Sequence, residues 1–357
     1  MITLRLLPGS EKIMGLHDGS PIRVAVVGVG AFGKNHARVY HELQQQGQAV
    51  ELVAVVDSDV AQAQAVARQF GCRAMTSVEE LGGRVDAASV AVPTVHHLPV
   101  AAGLMAAGID VLIEKPLAST LAEADELVAL ARANQRIAQA GHLERFNPAV
   151  RATTPLLTRP MFFEVHRLSV FTPRSLDVDV VLDLMIHDID VVLSFVQSPV
   201  RELRAVGLPV VSGKVDIANV RMEFDSGCVA NLTASRISTE RVRKLRFFQP
   251  NEYISLDYGR QDVLQFQVAA GQKFSAAQLL AMATTPGAVP IPGVSMNKPV
   301  VKSEEPLRAE LKSFLEAVRA RSTPEIPLED GRRALDVALQ ILAAISEHNQ
   351  RANTHVL

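Results

Sequence analysis

The run Gly28-Val29-Gly30-Ala31-Phe32-Gly33 constrains this chain more than any other stretch. Glycine weakens the interior of a helix or strand, and three at this spacing belong where the backbone must turn sharply and approach something closely. Before them stands a short apolar run, Ile22–Val27, and after them Lys34 to about Gln46 reads as a helix. A strand, a glycine turn and an opening helix make a cradle for a dinucleotide. The first glycine turns the chain, the second admits the pyrophosphate, and the third lets helix and strand pack closely. Free N–H groups at the helix start face the phosphates, which puts Gly28, Gly30, Ala31, Phe32 and Gly33 at the cofactor. Asp57 closes the next apolar run, Glu51–Val56. A carboxylate there accepts the ribose hydroxyls and repels a 2′-phosphate, so the expected cofactor is NAD, not NADP. A plain glycine turn with Asp57 as a helix cap is the alternative.

Further apolar runs follow at Ala87–Val92, Val111–Ile113 and Ile137–Ala140, separated by Ala-rich segments at Ala61–Phe70, Leu98–Ala107 and Leu121–Ala133. Strands alternating with helices of this size predict an α/β unit, a doubly wound parallel sheet spanning residues 21–145. The rhythm then changes. Met161–Val170 is followed by a helical stretch, Val180–Phe195, and then by strand runs at Leu203–Val206, Val220–Phe224, Cys228–Ser235, Leu245–Phe248 and Tyr253–Asp257. Asp225-Ser226-Gly227 between two of them is a hairpin signal. Strands in series predict an α+β second domain, residues 146–357, with an open, mainly antiparallel sheet. Residues 270–303 read as a long loop with one helix near Ala276–Ala283. Glu304–Arg321 and Leu328–Asn349 return to helix, the last able to pack back on the first domain.

With 357 residues the chain exceeds what one hydrophobic core usually organises. A net charge of −2 gives no reason to expect nucleic acid or a membrane surface as partner. Cys72 and Cys228 lack zinc-ligand spacing and predict neither a disulfide framework nor a structural metal. Residues 1–20 lack a real apolar run and contain Pro8, Glu11, Lys12 and Asp18; they read as a loose leader or an upstream start ahead of Met14, not as a secretion signal, so the expected setting is the cytoplasm.

Three segments point from cofactor binding to catalysis. Pro93-Thr94-Val95-His96-His97 and Glu114-Lys115-Pro116 each follow a strand of the first unit, at the carboxyl ends where such sheets bind ligands. A cis bond before Pro116 would aim Lys115 into the site. Asp183 and His187 are spaced i, i+4 and share a helix face. Oxidising an alcohol requires a base for the hydroxyl proton as hydride leaves, which suits His187. Lys115 would steady the reacting oxygen, and Asp183 would orient His187 or hold substrate. Separately, Lys115 reads equally as a surface lysine and His187 as a satisfied helix histidine. Asp188 and Asp190 read as solvated helix residues, not metal ligands.

Taken together, Gly28–Gly33, Pro93–His97, Glu114-Lys115-Pro116 and Asp183-x-x-x-His187 resemble the glucose-fructose oxidoreductase / inositol dehydrogenase / rhizopine catabolism (Gfo/Idh/MocA) family, over about residues 21–350. The resemblance implies a Rossmann domain joined to an open antiparallel sheet through which subunits assemble, as a homodimer or homotetramer. It implies Lys115 and His187 as catalytic residues, and Pro93, Thr94, His97, Glu114 and Lys115 beside the cofactor, with His96 structural.

The substrate reading rests on arginines. Arg145 and Asn147 enter the second domain beside the site, Arg167 and Arg174 flank the loop before the catalytic helix, and Arg236 precedes Arg241, Arg243, Lys244 and Arg246. Such cations suit a diphosphate better than a neutral sugar. For Arg145 a domain-junction ion pair is equally open, and for the 241–246 group a solvated strand face. The runs Gly141–Pro148, Val181–Asp190 and Ala230–Arg236 resemble a narrower branch acting on C3 of UDP-linked N-acetylglucosamine in lipid A biosynthesis. A free-sugar or inositol dehydrogenase, and a non-catalytic NAD(H)-binding regulator, are the other readings.

Overall fold

The structure, a computed structural model, describes residues 19–172, 178–273, 275 and 293–352. The leader up to residue 18, Arg174 and the helix expected at Ala276–Ala283 lie outside the described residues.

Six parallel strands form the first sheet: β1 (Ile22–Val27), β2 (Val50–Val56), β3 (Arg73–Met75), β4 (Ala87–Val90), β5 (Asp110–Glu114) and β6 (Ala138–Gly141). Their order, β3-β2-β1-β4-β5-β6, is that of a doubly wound dinucleotide-binding sheet. Helices α1 (Gly33–Gln45), α2 (Val60–Phe70), α3 (His97–Ala106) and α4 (Leu121–Ala133) connect them. Local chemistry sets their ends. Asp59 caps α2 by accepting from the Ala61 and Gln62 amides, and Gly71 closes that helix at φ +69°. Thr120 and Glu123 form a capping box at the start of α4. The edge strand β3, only three residues long and mostly exposed, carries too little apolar pattern to be read from sequence.

After the short helix α5 (Pro148–Thr153), the second sheet takes eight strands among the described residues: β7 (Phe162–Val170), β8 (Val200–Leu208), β9 (Ile217–Phe224), β10 (Val229–Ser238), β11 (Val242–Gln249), β12 (Glu252–Asp257), β13 (Asp262–Val268) and β14 (Val294–Asn297). The order is β14-β13-β12-β11-β7-β10-β9-β8; β10 runs parallel to β7 and every other pair is antiparallel. Gly227, at φ +81°, turns the β9–β10 hairpin. Strand β14 falls within the stretch expected to be loop. One sheet face packs on α6 (Ile186–Phe195), which is entered through a π-helical turn, Val181–Met185.

The last two helices tie the halves together. α7 (Pro306–Ala320) buries Leu307, Leu311, Phe314 and Val318 with Ile22, Val24 and Tyr40 of the first half. α8 (Leu328–Arg351) is divided along its length: Leu328 and Leu335 join the core under the parallel sheet, whereas Ala334, Val337, Ile341 and Ile345 join the core of the second. Cys72 and Cys228 are both free thiols. Among the described residues no helix is long and apolar enough to cross a membrane.

Candidate active site

The glycine turn has the geometry its spacing predicts. Gly28 sits at φ +82°, and a Cβ there would meet Ala91 O and Val92 N, each at 2.7 Å. A Cβ on Gly33 would lie 1.8 Å from Gly28 O, so any side chain would force turn and helix apart. Around Gly30 the space is open within 4 Å, which is where a pyrophosphate needs room. No side chain caps α1, whose first turn bonds only from Lys34 onward to Gly30 O and Phe32 O. Uncapped amides and an open glycine fit a dinucleotide phosphate. Asp57 Oδ2 accepts from Val29 N at 2.8 Å and from Gln62 Nε2 at 3.1 Å, while Oδ1 accepts from Asp59 N at 2.9 Å. A carboxylate offers about four acceptor positions, so one on Oδ1 remains for a ribose hydroxyl.

The peptide bond between Lys115 and Pro116 is cis, as the motif suggested. Lys115 reaches across to the second half: its Nζ donates to Asp183 O at 2.7 Å and lies 3.5 Å from Asp183 Oδ1. Lys115, Asp183 and His187, far apart in sequence, are thereby gathered at the junction of the halves. Asp183 stands inside the π-helical turn and makes no hydrogen bond to His187; it holds Lys115 instead. His187 is half-buried and its Nδ1 is enclosed without a hydrogen-bond partner. Burial, reinforced by Lys115, Arg167, His142 and Arg243, holds its imidazole well below the usual range. A histidine kept neutral in this way can accept a proton.

Several residues expected at the site have other work. His97 is 1% exposed, with Nδ1 3.2 Å from Leu117 O and Nε2 3.0 Å from Val92 O. The ring is enclosed between the loops after β4 and β5 and, when neutral, donates to one of these two carbonyls; His96 is the exposed one of the pair. Glu114 turns inward and pairs with His36 Nε2 at 3.0 Å. Pro93 and Thr94 stay at the accessible end of β4.

The arginine reading needs the larger correction. Arg167 is 3% exposed and grips Asp188 bidentately, at 2.6 and 2.9 Å, and Glu144 at 3.0 Å, with its guanidinium 5.1 Å from the centre of the Tyr258 ring. Arg236 is buried against Val178 O and lies 3.6 Å from Asp216 Oδ1. Arg145 bridges Asp190 at 3.5 Å and Asp330 at 3.3 Å, the junction ion pair left open above. Asn147 caps α5 by accepting from Ala149 N, and donates to Glu144 and Tyr258 O. Asp188 and Asp190, expected in solvent, are each 2% exposed because α6 is enclosed on nearly all sides. Arg243 behaves differently. Directly across the β7–β11 ladder from Arg167, it shares the inward face with Leu245 and Phe247, yet remains exposed, with no ion pair among the described residues. Sequence shows it only as one cation in a cluster; its period-2 phase with Leu245 and Phe247 is the signal that separates it from its neighbours.

Comparison with known proteins agrees with this geometry. Residues 22–142 match the model of the oxidoreductase family with an NAD-binding Rossmann fold, and residues 159–249 match the GFO/IDH/MocA C-terminal domain. A UDP-N-acetylglucosamine 3-dehydrogenase from Acidithiobacillus ferrooxidans is 36% identical over 331 residues, covering 92% of this chain and 99% of that one. A solved structure of the protein of that name from the same organism superposes with a TM-score of 0.81 at 35% identity, over 91% of this chain and 97% of that one. An inositol 2-dehydrogenase from Acidothermus cellulolyticus is 30% identical over 195 residues, 52% of this chain and 56% of its own. A levoglucosan dehydrogenase solved with NADH and levoglucosan shares the fold, with a TM-score of 0.78 at 16% identity over 92% of this chain and 98% of its own. Its glycine cradle, its junction of Lys115 with Asp183 and these matches along both halves place the chain in the Gfo/Idh/MocA family of NAD-dependent oxidoreductases.

Proposed function

We propose that the chain oxidises the C3 hydroxyl of UDP-N-acetylglucosamine to the 3-keto sugar nucleotide. The observation that carries this reading is likeness along nearly the whole length to a UDP-N-acetylglucosamine 3-dehydrogenase, 36% identical over 92% of the chain. In this reading Gly28, Gly30, Ala31, Phe32 and Gly33 seat the pyrophosphate, Asp57 the ribose, and Pro93 and Thr94 border the nicotinamide end. NAD, when bound, supplies the hydride acceptor. His187, held neutral, takes the proton from the sugar hydroxyl. Lys115 moves its ammonium from Asp183 O to the reacting oxygen and steadies the negative charge growing there. Asp183 balances that ammonium and keeps it in place. Arg243 replaces Arg167 and Arg236 as the cation facing the diphosphate, since those two are committed to buried pairs.

Burial of those arginines also favours a second reading, a dehydrogenase of free sugars or inositols, because it leaves fewer cations for a nucleotide. Steady-state NADH formation with UDP-N-acetylglucosamine, free N-acetylglucosamine and myo-inositol decides between them. The nucleotide-sugar reading expects efficient turnover of the first alone, with UDP as a competitive inhibitor. Efficient turnover of free sugars with no inhibition by UDP would leave the second reading standing. The proposal extends to self-association through the outer face of the eight-stranded sheet. On that face Phe248 packs between Phe162 and Tyr253, with ring centres 5.9 and 5.0 Å away, and remains 38% exposed.

A further inference from the structure

An alcohol dehydrogenase must dispose of one proton for every hydride it transfers. The base that takes it here is an enclosed imidazole close to Lys115 and Arg167, surroundings that disfavour holding the charge. The following inference rests on the reading of His187 as the base.

Behind His187 lies a series of enclosed polar atoms with no partner. They are His187 Nδ1, both ring nitrogens of His142, and Asp190 Oδ2. His142 is 1% exposed and Asp190 2%. Leaving such atoms dry costs about 1–3 kcal/mol each, so a run of them marks a place for ordered water. His142 acts electrostatically on both His187 and Asp190, which places the three near one another. His187, Asp190 and Ser194 recur at i, i+3 and i+7 along one face of α6. His142 opens the tight turn Leu143–Phe146, and Arg145 of that turn lies 3.5 Å from Asp190 Oδ1. Beyond Asp190 a groove of about 630 Å³ opens at the junction of α6 and α8, lined by Arg145, Ser194, Gln197, Asp330 and Arg333. The Asp330 side chain is 26% exposed there and that of Arg333 44%. One face of α6 therefore runs from the reacting centre to solvent on the far side of the junction.

We propose that the proton taken up by His187 leaves through the protein, passing by ordered water from Nδ1 to His142, to Asp190 and into the groove beside Arg145 and Asp330. The hydroxyl O–H bond breaks onto Nε2 as hydride leaves the same carbon. The Nδ1–H bond then breaks toward water, one nitrogen of His142 gains a proton, and the other releases one toward Asp190. Both electrons of the C–H bond stay with the hydride, and both histidines end neutral in the opposite tautomer, which proton exchange with water resets before the next turnover. Charged and titratable neighbours bear on His142 from each surrounding element. His187 and Asp190 come from α6, Arg145 from its own turn, Glu114 with His36 from across Gly141, and Glu310 from α7. Burial raises the Asp190 carboxyl, against the pull of His142 and Arg145, so it can hold a proton in passing. Burial also drives the Glu310 carboxyl well up, with Glu114 and Asp190 adding to the effect.

The test is a single turnover of the NAD-loaded enzyme with UDP-N-acetylglucosamine in weak buffer. NADH absorbance and a pH indicator are followed together in wild type, Asp190→Asn and His142→Phe. In wild type, proton release should keep pace with NADH. In either variant it should lag at least tenfold behind, with NAD affinity within about twofold of wild type. The double variant should be no slower than the slower single one, because the two act in series. Proton release in step with NADH in both variants overturns the relay. A wild-type enzyme that reduces no NAD with any sugar fails the proposed function instead. A high-resolution crystal structure then judges the path by itself: water joining His187 Nδ1, His142 and Asp190 supports it, and a dry gap overturns it. The same structure decides if the variants do not fold.

Discussion

The two halves of the site are made from opposite materials. The cofactor side is backbone: two glycines where a Cβ would collide, a third that leaves open space, and an uncapped helix start. The sugar side is buried charge: Arg167 locked to Asp188 and Glu144, Arg236 beside Asp216, Arg145 between Asp190 and Asp330. A site made by omitting side chains tolerates almost no addition. One held by enclosed ion pairs tolerates almost no removal, because each loss strands a charge out of water. His187 stands on the second side and faces the first, and its neutrality is set chiefly by burial and reinforced by the cations around it.

The most damaging change should be one on the backbone side. Gly33→Val places a Cβ inside the van der Waals shell of Gly28 O and should cost about 4 kcal/mol or more of stability or abolish NAD binding. Thermal unfolding together with NAD titration would show it, and a variant that binds NAD normally would break the comparison. Next come the reacting groups. Lys115→Ala or His187→Ala should lower kcat by roughly 10²–10⁴ while NAD affinity holds, as read by turnover and cofactor titration.

The two arginines facing each other across β7 and β11 sharpen the contrast. Arg167→Ala should cost about 3–5 kcal/mol in denaturant unfolding, by stranding Asp188 and Glu144. Arg243→Ala should leave stability nearly unchanged and raise KM for the nucleotide sugar roughly tenfold or more, with little effect on a free sugar. Equal loss of stability in both would erase the distinction between strut and contact.

Acid should weaken both sides, through His97 on the first and His187 on the second. His187 and His97 both have imidazoles depressed chiefly by burial, so the unfolded chain binds protons that the folded chain refuses. Their contribution is intact above about pH 6.5, and falls below it by up to about 1.4 kcal/mol per pH unit for each group until the folded imidazole itself titrates. Unfolding midpoints measured between pH 7 and 5 should drop, and His187→Asn should flatten the slope. The smallest effect concerns cofactor choice. NAD should exceed NADP by about tenfold in kcat/KM, and Asp57→Ala should erase most of that margin.

How much of this could be read in advance follows the same division. Gly28, Gly33 and the cis bond at Pro116 belong to motifs only a few residues long, and their roles are legible from those motifs even though a Cβ on Gly28 would meet Ala91 and Val92 beyond β4. The fold of the second half was also legible, because alternation is strict along β9 and along β11 from Lys244 onward. The partners of Arg167 and Arg236 lie about 20 residues or more away in the chain and depend on which strands become neighbours. From sequence, an arginine bound for a buried pair and one bound for a substrate look the same. His97 misled for a related reason: its motif marks a ligand-binding loop, but in the fold its ring is enclosed between the carbonyls of Val92 and Leu117.

The placement of α7 has a consequence for how the molecule is made. Leu311 and Phe314 complete the hydrophobic layer over β1 and α1, yet they emerge from the ribosome long after those elements. At about 5–20 residues per second, the nascent parallel sheet waits roughly ten to thirty seconds with that layer uncovered. Ile22, Val24 and Tyr40 are in that interval an exposed apolar surface, the kind that chaperones hold. A fragment ending near residue 145 should share that condition permanently and aggregate, and supplying α7 as a separate peptide should rescue it.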